Sequence, residues 1–212
     1  MVLVPEEDKR RIADAITAAE ARTSGEIVAV IAPESSSYLY VPFMWAALAA
    51  LAVPFPLIFW TWWPIQRIYA LQLVVFAALV LLLMYRPLRL ALVPRSVKHR
   101  SAHRRAVEQF LAQNLHTTAG RTGVLLFVSV AERYAEIVAD AAIHQRVPQE
   151  EWQGIVDDLT RRIAQGNADE GLVRAIGAVG EHLSRHFPPG GRDPNALPNH
   201  LIILPEEWPR DL

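Results

Sequence analysis

RTGVLLFVSVAERYAEIVAD, residues 121–140, is the stretch whose reading decides the fold. Its first half is apolar at both parities, with Val124, Leu126 and Val128 on one side and Leu125 and Phe127 on the other. Successive side chains of a strand point to opposite faces. A strand apolar on both is buried on both, which requires a layer on each side of its sheet. Beyond a charged turn, residues 134–140 alternate, Ile137 and Ala139 against Glu136 and Asp140. That is the pattern of an edge strand, or of one with a wet side.

The neighbouring segments supply the layers. Residues 6–21 place Ile12, Ala15, Ile16 and Ala19 on one side and charges on the other, as a surface helix requires. TSGEIVAVIAP follows, a Ser-Gly turn leading into an apolar strand that stops at Pro33. Residues 98–115 predict a helix with Ala102, Ala106, Phe110 and Leu111 toward a core. PQEEWQGIVDDLTRRIAQG has proline for the first turn, acids early, arginines late and Gly166 for the stop, with a stripe through Trp152, Ile155, Val156, Leu159 and Ile163. ADEGLVRAIGAVGEHLSRHF carries a second stripe through Leu172, Ile176, Val179 and Leu183 before PPGGRDPN ends it. Its glycines 171, 177 and 180 are expected at close helix contacts, since each costs ~1 kcal/mol against alanine on propensity alone. NALPNHLIILPE offers a short strand or a docked extended segment.

Residues 41–85 have a different composition. This stretch, VPFMWAALAALAVPFPLIFWTWWPIQRIYALQLVVFAALVLLLMY, contains one formal charge, Arg67, in 45 residues. A spanning helix needs about 20 apolar residues at ~1.5 Å rise each. Two passes are therefore expected, roughly 42–63 and 66–85, around a tip at Trp63–Arg67. Both faces of each pass are apolar, which leaves no solvated side for a soluble helix. Pro54 and Pro56 each remove a backbone donor, so the first pass is expected to kink or re-enter. Tyr38, Tyr40, Trp60, Trp62, Trp63, Tyr69 and Tyr85 fall near the ends, where such rings favour the headgroup layer. Ala46, Ala47, Ala49 and Ala50 are small enough for close helix contacts.

The flank after the second pass, RPLRLALVPRSVKHRSAHRR, sets the orientation. Arg86, Arg89, Arg95, Lys98, Arg100, Arg104 and Arg105 are opposed by no acid there. Basic residues close to a membrane end stay inside, so a two-pass hairpin keeps both termini in the cytoplasm, at the inner membrane, with anionic lipid beside the basic run. MVLVPEEDKRR lacks the order of a secretory signal, so nothing in it is expected to carry this end across. The overall charge of −1 gives no hint of nucleic acid, and no nucleic-acid partner is expected. The absence of cysteine excludes disulfides, thiolate catalysis and Cys-ligated metals.

TSGEIVAVIA, RTGVLLFVSVAERYAEIVAD, VPQEEWQGIVDDLTRRIAQG, DEGLVRAIGAVGEHL and LPNHLIIL, in this order, resemble the TPM domain family. More narrowly, they resemble small bacterial members with a membrane hairpin spliced after the first strand. The resemblance implies an α/β fold, a mixed sheet flanked by helices in a TPM-like sandwich, here interrupted by a two-helix transmembrane hairpin. It divides the chain into 1–40 (helix and first strand), 41–85 (hairpin), 86–105 (basic juxtamembrane segment), 106–204 (remainder of the domain) and 205–212 (tail). For activity it implies either membrane-complex assembly or, in other members, acid phosphatase chemistry and divalent cations held by acidic residues near strand ends. Where the family has a small turn of the kind Asp-x-Gly-Ile, this chain reads Asp140-Ala141-Ala142-Ile143, with Ala142 in place of glycine.

The candidate metal ligands are Asp140 and Glu136 on the same strand face, with Glu150 and Glu151 on the next helix. A divalent cation such as calcium takes six or more oxygens, so this set is short, and a solvated strand end with ordinary helix-dipole acids is the simpler reading. His99 with His103 and His182 with His186 each share a helical face, but neither pair has the further ligands of a zinc site. Ser129 and Ser24 lack a nucleophile elbow, and no phosphate-cradling glycine loop is present. No catalytic residue is assigned. The expectation is a membrane-anchored interaction module whose partners are lipid and an unidentified membrane or cytoplasmic protein, with a metal-dependent phosphatase centred on Asp140 as the alternative.

Overall fold

The computed structural model describes residues 5–118, 120–189 and 201–205. It divides into an α/β unit, 1–35 with 99–212, and a helical unit, 36–98. In chain order the helical unit interrupts the α/β unit between residues 35 and 99.

The sheet has four strands, β1 (Glu26–Ala32), β2 (Gly123–Ser129), β3 (Tyr134–Ala139) and β4 (Leu201–Ile203), in the order β3-β2-β1-β4. β1 runs parallel to β2 and β4, whereas β3 returns antiparallel to β2 through the hairpin, so the sheet is mixed. The double parity of β2 has the expected outcome. Val124, Leu126 and Val128 enter one core with Ile27, Ala29 and Ile31 of β1. Leu125 and Phe127 enter a second core with Val28, Val30 and Ala32.

Three helices cover the first face: α1 (Glu6–Glu20), α8 (Gln149–Ala164) and α9 (Ala168–His186). The stripe of α9 is buried throughout, as are Trp152, Leu159 and Ile163 of α8. Two of the three α9 glycines sit at close contacts. A Cβ on Gly180 would lie 2.6 Å from Ala19 Cβ on α1, and one on Gly171 would lie 3.0 Å from Leu159 Cδ1 on α8. Gly177 differs from expectation, with nothing within 4 Å of its Cβ position.

The second face is covered by α6 (Arg95–Ala112), through Ala102, Ala106 and Phe110. Leu111, expected in this core, is 51% exposed, and Gln109 is buried in its place. At about 100° per residue, position 109 falls about 20° from 102 on the inward side, while 111 lies about 180° from 102 and rotates out.

In the helical unit the first apolar segment is two helices, α2 (Tyr40–Ala52) and α3 (Pro54–Trp60), broken at Val53, and the second is one helix, α4 (Ile65–Leu83). Pro54 and Pro56 account for the break, because neither can donate to the turn before it. Val53 keeps helical angles through the break. Tyr40–Trp60 and Ile65–Leu83 are 21 and 19 residues long, apolar enough to cross a membrane, and only 22% and 6% of their most apolar windows is buried. α2 packs on α4, and Ala46 and Ala50, one turn apart, are the buried small residues of α2. A short basic helix, α5 (Arg86–Leu92), follows. Tyr38 departs from the expected interfacial set. It is buried with Val41 and Val93, whereas Trp60 and Trp62 stand 83% and 103% exposed.

Candidate functional site

β3 is an edge strand, and its pairing determines which backbone groups remain open. Asp140 N–H donates to Gly123 O at 2.9 Å, in the register Val124↔Ala139 to Ser129↔Tyr134. In an antiparallel pair alternate residues bond the partner strand. The N–H and C=O groups of Tyr134, Glu136 and Val138 therefore turn toward β2, and those of Ala135 and Ile137 turn toward the open edge.

Along that edge runs a groove of about 750 Å³. One wall is α8, through Trp152, Val156 and Thr160, and His99 of α6 lines the other side. The floor is β3 itself, with Ala135 and Ile137 toward the first core and Tyr134 and Glu136 toward the second.

The Glu136 carboxylate is engaged on both oxygens. Oε1 lies 2.8 Å from His103 Nδ1, and Oε2 accepts from the Tyr134 hydroxyl at 2.9 Å. His99 packs its ring against Tyr134 at 5.2 Å between centroids. Burial first, and then the neighbouring Glu136 charge, push the Tyr134 phenol above the ordinary tyrosine range. The first histidine pair thus serves the β3 side chains. At the groove mouth Arg133 is exposed, with φ +51° in the hairpin turn. Trp152 is 2% exposed, and its indole N–H has no acceptor among the described residues.

Asp140 is buried and caps α7 (Ala141–His144), its Oδ1 accepting from Ala141 N–H at 2.6 Å. Its Oδ2 has no hydrogen-bond partner among the described residues. Four residues of extended chain separate it from Glu136 by about 13 Å, and Glu151 is drawn elsewhere, 2.6 Å from His182 Nδ1. No group of three or more His, Cys, Asp or Glu side chains able to hold an ion occurs among the described residues. At Asp140 a hard cation would meet one uncommitted carboxylate oxygen, against a need for six or more ligands.

A second polar cluster escaped the sequence reading. At the ends of β1 and β2, Ser129 Oγ donates to Glu132 Oε2 and accepts from Ser35 Oγ at 2.8 Å, while Ser35 N–H donates to Glu132 Oε1 at 3.0 Å. All three residues are buried. The signal was available: a hydroxyl closing an apolar strand must find a partner when buried, and a glutamate lies three residues on. The cluster fastens the chain leaving β1 to the β2–β3 turn.

Residues 87–182 match the family described as TPM domain, a stretch that omits α1, β1 and the two apolar segments. No curated protein matches the chain. The chain is similar in structure to the BA42 protein from the psychrophilic bacteria Bizionia argentinensis sp. nov., solved by NMR. That similarity has 21% identity and a TM-score of 0.60, covers 94% of each chain, and carries the fold alone. The match to the TPM domain family covers residues 87–182, just under half of the chain, and takes in β2, β3 and α8 of the mixed sheet and its helices.

Proposed function

We propose that this chain is a membrane-tethered module whose α/β domain works at the cytoplasmic face of the bacterial inner membrane, by binding a protein and not by turning over a substrate. The supporting observation is the exposure of large apolar side chains along both long helices, including Phe59 at 79%, Leu73 at 68% and Leu81 at 73%. Contiguous apolar surface of this extent is not left to water, and lipid is the cover whose thickness matches helices of 21 and 19 residues. The seven basic residues from Arg86 to Arg105, a stretch of sequence without Asp or Glu, favour the cytoplasm for that flank, and two passes bring the N-terminal side to the same compartment. Tethering raises the effective concentration of the domain toward membrane partners without any catalytic residue. Fractionation tests this. The full chain should stay with membranes through an alkaline wash and leave only with detergent. Recovery in the soluble fraction without detergent would end the proposal.

The competing reading, a metal-dependent phosphatase near Asp140, draws on the unpartnered buried Oδ2 of that residue. The full chain in detergent, assayed on p-nitrophenyl phosphate with calcium or magnesium, separates the two. Cation-dependent turnover abolished by Asp140→Asn would replace the non-catalytic reading. No turnover, with no cation-induced shift in Tm, would remove the phosphatase.

A further inference from the structure

We propose that this chain self-associates within the membrane through Gln72, whose amide pairs with the Gln72 amide of a second copy. This rests on the membrane reading above and gives the hairpin a partner of stated chemistry.

Gln72 is the eighth residue of α4 and stands ~10 Å along its axis. In a spanning helix that depth lies inside the hydrocarbon layer, about 30 Å thick. Across residues 41–60 and 68–83 it is the one amide side chain, and the other side chains are apolar apart from the rings of Trp45, Trp60 and Tyr69. It follows Ile68, the buried residue of α4, by one turn and is itself half-buried. Its Oε1 is enclosed and has no hydrogen-bond partner among the described residues. Hydrocarbon offers such a group no substitute for water, and leaving it unpaired is costly.

The hairpin does not supply the missing bond. An amide oxygen accepts and so needs a donor, whereas the backbone N–H groups of spanning helices are spent on their own turns. The break at Val53 adds none, because Pro54 and Pro56 free carbonyls, which are acceptors too. The indole and phenol donors of the two passes are not bonded to Gln72 Oε1. The donor must come from another molecule.

A second copy fits that requirement. Two-pass insertion with one orientation holds Gln72 at the same depth in every copy, so a two-fold axis along the membrane normal brings two of them level. An amide carries both donor and acceptor, so each Nε2 donates to the other copy's Oε1 and one contact satisfies both. An unrelated helix would have to present a matching polar group at that depth. The approach is open, since Tyr69 and Leu73 beside Gln72 are 61% and 68% exposed.

The test uses the full chain with Arg185→Cys on exposed α9 surface, labelled in separate batches with donor and acceptor dyes and reconstituted together into vesicles of phosphatidylcholine and phosphatidylglycerol. Energy transfer should rise with the protein-to-lipid ratio and saturate above the level of randomly mixed monomers. Gln72→Leu should weaken the association about tenfold, the effect of ~1.4 kcal/mol, which is the scale of interhelical side-chain bonds in membranes. Leucine keeps the helix apolar, so this variant still inserts, and flotation with the vesicles verifies it. Val74→Leu, on exposed surface about 200° round α4 from Gln72, should leave the association unchanged. Transfer no greater than random mixing, or equal association in Gln72→Leu, overturns the proposal. So does a loss in Val74→Leu as large as that in Gln72→Leu. The membrane reading fails separately: a chain that does not float with the vesicles refutes the tether, whereas one that floats and stays monomeric refutes the Gln72 pair alone.

Discussion

His103 Nδ1 and Glu136 Oε1 lie 2.8 Å apart, joining α6 to the edge strand across 33 residues of sequence. The other oxygen of the same carboxylate takes the Tyr134 hydroxyl at 2.9 Å, so one glutamate organises the polar side of the groove.

A titration prediction follows from that arrangement. Tyr134 should ionise above the ordinary tyrosine range, because burial and then the Glu136 charge both disfavour the phenolate. An acid whose folded pKa is raised contributes stability that is complete below the unfolded value, about 10, and is lost as pH rises past it toward the folded value. Glu136→Gln removes the charge and should bring the Tyr134 titration down, read by NMR on ring-labelled tyrosine. An unchanged titration would mean that Glu136 does not act on the phenol.

Two glycines of α9 should respond to alanine with opposite signs. Gly180→Ala drives a methyl to 2.6 Å from Ala19 Cβ, and overpacking of this kind costs ~1–3 kcal/mol, more than the ~1 kcal/mol that alanine returns in helix propensity. Gly177→Ala meets nothing within 4 Å and should stabilise by up to ~1 kcal/mol. Thermal unfolding of the two variants in the same detergent gives the comparison directly.

Ser129→Ala should destabilise by ~1.5–3 kcal/mol, the value of a buried hydrogen bond to a charged group. Its hydroxyl links Ser35 to Glu132, and removal leaves that carboxylate short of a donor. Urea denaturation followed by tryptophan fluorescence measures the loss. A change within ~0.5 kcal/mol, the range of ordinary surface substitutions, would mean the cluster does not fasten the chain leaving β1.

The fold was legible wherever one periodicity decided it. β2 is apolar at both parities and is buried on both faces, and the α9 stripe is buried residue for residue. Legibility failed where the answer depended on which neighbour arrived. Leu111 is as apolar as Phe110, yet its angle on α6 turns it to solvent. Gly177 has the same chemistry as Gly180 but no helix against it. Tyr38 belongs by composition to the interfacial aromatics and is instead covered by Val41 and Val93. The site was less legible than the fold for the same reason. Sequence singled out Glu136 and paired it with Asp140, its neighbour by parity, whereas the sheet turns Glu136 toward a histidine on another helix.

The two-pass tether is the central claim, and the absence of cysteine allows a clean test. Single cysteines at Gln66→Cys, at the exposed start of α4, and Arg185→Cys, on exposed α9 surface, are each treated with a membrane-impermeant maleimide in intact spheroplasts. The account predicts that Gln66→Cys is labelled at once and Arg185→Cys only after the membrane is permeabilised. Labelling of Arg185→Cys in intact spheroplasts, or protection of Gln66→Cys until permeabilisation, would contradict it.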